Sequence, residues 1–132
     1  MIDTQPHIVL VEPEQLLQEI TAFRLELLGF RVTVLSTAAE TIKFISESES
    51  NPELLVIDVD LEDASGIDVV TKLSTDQRTS TMPVMVMAFN SDVELVERAF
   101  AAGAKEFVVL PFDPAVLEQK VEALIEMAPA RT

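Results

Sequence analysis

The sequence predicts an α/β domain in which a parallel sheet is covered by helices on both faces. Three observations predict it. A strand-then-helix pattern repeats five times along the chain. Four of the strands are nearly continuous apolar runs, as expected of strands buried on both faces. Acidic residues follow two of those runs directly, at the strand ends where open α/β sheets bind ligands.

The first strand is HIVLV, residues 7–11, ending in Glu12, Pro13 and Glu14. Pro13 can open a helix, since its missing N–H costs nothing in a first turn. Leu16, Ile20, Phe23 and Leu27 recur at helical spacing and give that helix one apolar face, and Gly29 is its stop. RVTVL, residues 31–35, is the second strand, and Ser36 or Thr37 can cap a helix carrying Ala38, Ile42 and Ile45. The polar turn SESESN and Pro52 lead into LLVID, residues 54–58, the central strand. Gly66 closes the acidic loop after it, and residues 67–73 read as a short helix followed by a polar loop over 74–81. VMVMA, residues 84–88, is the fourth strand. Asn90, Ser91 or Asp92 caps a helix running to about residue 102, which Gly103 ends. The fifth strand covers 107–110, and Asp113 with Pro114 starts a last helix with Leu117, Val121, Leu124 and Ile125 inward.

The totals bound what such a domain does. At 132 residues the chain fits one domain, with a core over 7–127 and a tail, APART, over 128–132. Nine basic against 23 acidic residues give a net charge of −14, which repels nucleic acid and anionic membranes alike. There is no cysteine and only one histidine, so disulfide frameworks, thiolate metal sites and multi-histidine sites are excluded. No signal peptide is visible in MIDTQPH, and no apolar run approaches the ~20 residues of a membrane helix. The expectation is a soluble, cytoplasmic, acidic domain.

The chemistry converges at the C-terminal edge of the sheet, since right-handed crossovers bring all strand ends to one side. Glu12 and Asp58, from separate strands, are candidate ligands for a hard cation such as magnesium. An aspartate beside such a metal can act as a nucleophile toward phosphoryl groups.

The apolar strand ending at Glu12, the LLVID ending at Asp58 with Gly66 beyond, MPVMVMA over 82–88 and AFAAGAKEFVVLPF over 99–112 occur together in order and spacing. This combination resembles the receiver domain of bacterial response regulators in two-component phosphorelay signalling, over about residues 7–127. The resemblance implies a flavodoxin-like, doubly wound, five-stranded parallel sheet of order 2-1-3-4-5 with five helices. It places Asp58 at the phosphoacceptor position and Asp60 where a backbone carbonyl meets magnesium. Glu12 becomes the first acid after strand one, and Phe107 the switch aromatic. Leu110-Pro111 falls at the characteristic cis peptide.

Three positions depart from the pattern. Pro13 stands where receivers carry a metal-binding acid, Met87 where they carry a serine or threonine, and Leu110 where they carry a lysine. Losing the lysine's charge-assisted bond, worth roughly 1.5–3 kcal/mol, weakens phosphoryl binding by about one to two decades. The resulting expectation is a pseudo-receiver, a protein-interaction module with weak or absent magnesium at Glu12, Asp58 and Asp60. The alternative is a conventional receiver phosphorylated on Asp58 by a histidine kinase. An enzyme is not expected. An aspartyl-phosphate phosphatase places its DxD after the first strand, whereas Asp58-Val59-Asp60 follows the third. A flavin site needs a hydroxyl- and glycine-rich loop where this chain has Glu12–Glu14. Partners are a histidine kinase or another signalling protein, with a homodimer placed on the face of the last helix, the fifth strand and the helix before it. Two further expectations concern side chains. Crowding raises the carboxyl pKa of Asp58, and Met87 and Leu110 fill space beside Phe107.

Overall fold

All strand pairings are parallel, and each strand is followed by a helix. A computed structural model describes residues 5–128. The order is β1 (His7–Val11), α1 (Gln15–Leu27), β2 (Arg31–Leu35), α2 (Ala38–Glu47), β3 (Leu54–Asp58), α3 (Gly66–Thr75), β4 (Val84–Ala88), α4 (Val93–Ala102), β5 (Glu106–Val109) and α5 (Pro114–Met127). The strands line up as β2-β1-β3-β4-β5, the expected order. Every residue of β3 and β4 is buried, because these strands have neighbours on both edges and helices on both faces.

Strand alternation divides the core in two. Val9, Val11, Leu55, Ile57, Val86, Ala88 and Phe107 point to one face, where α2, α3 and α4 pack. Ile8, Leu10, Leu54, Val56, Met85, Met87, Val108 and Leu110 point to the other, under α1 and α5.

Local chemistry fixes the helix ends. Thr37 accepts from the Glu40 N–H, and Glu40 reaches back to the Thr37 N–H, a capping box that starts α2. Asp113 caps α5, with Pro114 in its first turn. Gly29, at φ +95°, follows α1 in the left-handed conformation that favours glycine. Several boundaries differ from expectation. Helix α3 extends through Ser74 and Thr75, and β5 begins one residue earlier, at Glu106. Pro13 lies before the helix: Glu14 is the cap, and its carboxylate accepts from the Leu16 and Leu17 N–H groups.

The larger correction concerns α1. The face formed by Leu16, Ile20, Phe23 and Leu27 turns away from the sheet, while Thr21 and Leu25 on the opposite side are fully buried. Among the described residues no helix is long and apolar enough to cross a membrane. Residues 129–132 of the APART tail lie outside the described residues.

Candidate functional site

Asp58 is the last residue of β3 and is 4% exposed. Its Oδ1 accepts the Asp60 N–H at 2.8 Å, so the turn that follows orients the carboxylate. The loop closes when the Gly66 N–H donates to the Val59 carbonyl at 2.8 Å. Gly66 is required by contact. A Cβ there would stand 2.1 Å from the Asp58 carbonyl oxygen, so no side chain fits while the loop keeps this path. Asp63, further along the loop, accepts from the Ala38 and Ala39 N–H groups and so caps α2 from a distant segment. Those two bonds hold its carboxyl below the usual range. Residues 59–65, the loop that follows Asp58 in the chain, line an open depression of about 460 Å³.

Glu12 arrives from β1. Its N–H donates to Leu35, its carbonyl accepts from Gln18 Nε2, and its side chain is almost wholly buried. Oε2 accepts the Glu14 N–H at 2.9 Å, whereas Oε1 is buried with no hydrogen-bond partner. Burial first, and a hydrogen bond to Asp58 second, push the Glu12 carboxyl up to about 8. A proton on Glu12 accounts for both facts: it removes a buried charge and lets the carboxyl donate to Asp58. Crowding at the strand ends thus acts on Glu12, whose carboxyl is raised.

The three departures now have places. Pro13 is half-buried and brings no ligand atom. Glu14 does not replace it, because its carboxylate is spent on capping α1. Met87 is the direct register partner of Asp58 and is fully buried. Met87 is not the end of its strand, however. That residue is Ala88, which shares a face with Phe107, and sequence spacing missed it by one position. Neither residue carries a hydroxyl. Leu110 is 3% exposed, donates its N–H to Ala88, and precedes a cis bond to Pro111.

Phe107 is buried on the α4 side of the sheet. Met87 and Leu110 belong to the opposite face, so the expectation that they crowd Phe107 is wrong, because strand alternation separates them. Lys120 from α5 bonds both the Phe107 carbonyl, at 2.8 Å, and Glu106, at 3.0 Å. Sequence reading missed this anchor, and only the pairing of β5 with α5 reveals it.

The set that would hold a magnesium ion is reduced to two carboxylates, Glu12 and Asp58, since Pro13 adds none. Among the described residues no three Asp, Glu, His or Cys side chains gather as ligands. Asp60 is exposed and donates its N–H to Asp58, and the role the resemblance gives it needs only its backbone carbonyl. Among the described residues the ion pairs Arg24–Glu118 and Lys120–Glu106 involve neither Glu12 nor Asp58.

Comparison with known proteins places this arrangement. The family profile described as "Response regulator receiver domain" matches residues 8–122. The phosphate regulon transcriptional regulatory protein PhoB of Rhizobium meliloti is 30% identical over 123 residues, covering 93% of this chain and 53% of that protein. The chain thus spans about half the length of the curated relatives it matches. The non-phosphorylated HemR receiver domain from Leptospira biflexa superposes with a TM-score of 0.84 at 25% identity, over 97% of this chain and 100% of that one. The receiver domain of the sensor histidine kinase PA1611 from Pseudomonas aeruginosa, which holds a magnesium ion in its active-site cleft, gives 0.84 at 20% identity, over 93% and 99%. With the parallel order β2-β1-β3-β4-β5 and a family match over nearly all of its length, this chain belongs to the response regulator receiver domain family.

Proposed function

We propose that this receiver domain is degenerate in its phosphoryl chemistry and acts as a pseudo-receiver, a cytoplasmic protein-interaction module and not an enzyme. The observation that carries the reading is Leu110. Where a lysine would have to reach Asp58, an apolar side chain is buried among Met87, Val108 and Leu117. Pro13 and the hydroxyl-free end of β4 support it. Asp58 keeps the phosphoacceptor position and Phe107 the switch position, with Glu12, Asp58 and Asp60 retaining at most weak magnesium affinity.

The partner is a histidine kinase or another signalling protein. It docks on the face formed by α4, β5 and α5, where Val93, Phe100 and Val109 stand exposed. This is also the face the sequence offers for a homodimer. With a charge of −14 the domain itself binds neither nucleic acid nor membrane. A second reading, a working receiver phosphorylated on Asp58 by a histidine kinase, is favoured by one observation: Asp58 stays oriented at the end of β3 by the Asp60 N–H.

The test is an NMR titration with magnesium and beryllofluoride on the wild type, on Asp58→Asn and on a restored variant, Pro13→Asp with Ala88→Thr and Leu110→Lys. The pseudo-receiver reading expects no saturable shift in the wild type at millimolar reagent and a saturable one in the restored variant. Saturable wild-type shifts at Asp58 and Phe107, lost in Asp58→Asn, would establish the second reading instead.

A further inference from the structure

We propose that α1 is a self-association seam: it pairs with α1 of a second copy of this chain, parallel and in register. Leu16, Ile20, Phe23 and Leu27 are 59%, 43%, 59% and 61% exposed, and they follow one another at spacings of four, three and four residues. That is the repeat of a coiled-coil seam, with Leu16 and Phe23 at one core position and Ile20 and Leu27 at the other. The seam lies opposite Thr21 and Leu25, which are fully buried against the sheet. Two copies meeting along it therefore keep their domains on the outer sides of the pair. Two heptads are too short to pair as free peptides, but α1 is already folded on its own domain, so helix nucleation does not oppose association.

Charge selects the occupant and its direction. Glu19 and Glu26 border one side of the seam, and Arg24 borders the other. In a parallel, in-register pair, a residue on the first border meets the residue five positions later on the other helix. Glu19 of one copy then meets Arg24 of the other, and two-fold symmetry makes the contact twice. An antiparallel pair would bring Glu19 against Glu26, like against like. Arg24 bonds Glu118 through one nitrogen at 3.0 Å, and its side chain is 33% exposed, so it is reachable by a second acid. The four apolar side chains offer on the order of 400 Å² per copy, near the upper range of patches on monomers and near the low edge for a specific interface once doubled. The pair is accordingly weak, with dissociation in the range of tens to hundreds of micromolar, roughly 5–6 kcal/mol.

The chain contains no cysteine, so single-cysteine variants of the full chain report the geometry directly. Under mild oxidation, Leu16→Cys and Leu27→Cys each cross-link to themselves, well above the rate of Ser50→Cys on an exposed turn. The two sites lie about 16 Å apart along the helix, so an antiparallel pair would cross-link only in a mixture of the two variants. Sedimentation velocity of the wild type up to about 1 mM shows a concentration-dependent dimer, weakened at least tenfold by Phe23→Glu at its exposed site. Glu19→Arg also weakens it, and adding Arg24→Glu with Glu118→Arg restores it. A wild type that stays monomeric, with Leu16→Cys no faster than Ser50→Cys, overturns self-pairing and leaves the seam to a different protein. Cross-links found only in the mixture overturn the parallel register.

Discussion

Replacing Glu12 by Gln should stabilise the domain at neutral and alkaline pH and do little in acid. The Glu12 carboxyl shifts from 4.5 in the unfolded chain to about 8 in the fold, so the folded state holds a proton that the unfolded state releases between those values. Its contribution is complete below about pH 4.5 and is lost as pH rises toward 8. At ~1.4 kcal/mol per unit, the whole window amounts to at most about 5 kcal/mol. Coupling to Asp58 means the two carboxyls titrate as a pair, so about 2–3 kcal/mol is the working expectation. Glutamine keeps the volume, carries no charge and offers an N–H₂ group toward Asp58 in place of the proton. Urea denaturation of both proteins at half-unit steps from pH 4.5 to 9 gives the difference directly, since titrations common to both cancel. The curves should coincide near pH 4.5, diverge steadily from about pH 5, and run parallel above about pH 8, with Glu12→Gln the more stable. Curves that stay parallel over the whole range, or a wild type that gains on the variant as pH rises, would refute the assignment of a buried proton to Glu12.

Other expectations follow from single contacts. Gly66→Ala forces a methyl to within 2.1 Å of the Asp58 carbonyl oxygen, so the loop must move, and thermal denaturation should show a loss of about 2–4 kcal/mol. Asp63→Ala removes the acceptor for Ala38 and Ala39, so hydrogen exchange at those two amides should accelerate while the centre of α2 stays protected. Because the Asp63 carboxyl is lowered from 3.8, wild-type protection there should be lost as pH falls below that value, and an unchanged exchange pattern at pH 2–3 would contradict the cap. Thr21 buries a hydroxyl without a partner, and Thr21→Val should therefore be neutral or stabilising by up to about 1 kcal/mol in urea melts.

The strands were legible because burial on both faces leaves no room for polar residues, as β3 and β4 demonstrate. Asp58 stood out for the converse reason, a charge following such a run without a break. The state of Glu12 was not legible. It depends on burial at the end of β1 and on Asp58, which arrives from a different strand, and neither can be read from the residues around Glu12. The phase of β4 also escaped. VMVMA is apolar at every position, so composition cannot say which residue ends the strand or which side each one takes. Only pairing with β3 and β5 separates Ala88, on the side of Phe107, from Met87, on the side of Leu110.

Helix α1 shows the same ambiguity with the opposite consequence. Periodicity identifies an apolar stripe, but it does not say whether the stripe faces inward. In α1 the stripe Leu16, Ile20, Phe23, Leu27 faces outward, while Leu25, Leu17 and Ala22 meet the core together with a threonine whose hydroxyl has no partner. The helix is thus apolar on two sides, one packed on this domain and one facing outward. Two apolar sides are what a helix with two contacts requires: one side holds the fold and the other is kept for association. The chain therefore carries a recognition surface that owes nothing to the altered chemistry around Asp58, and a receiver that has lost its phosphoryl contacts can still select a partner through it.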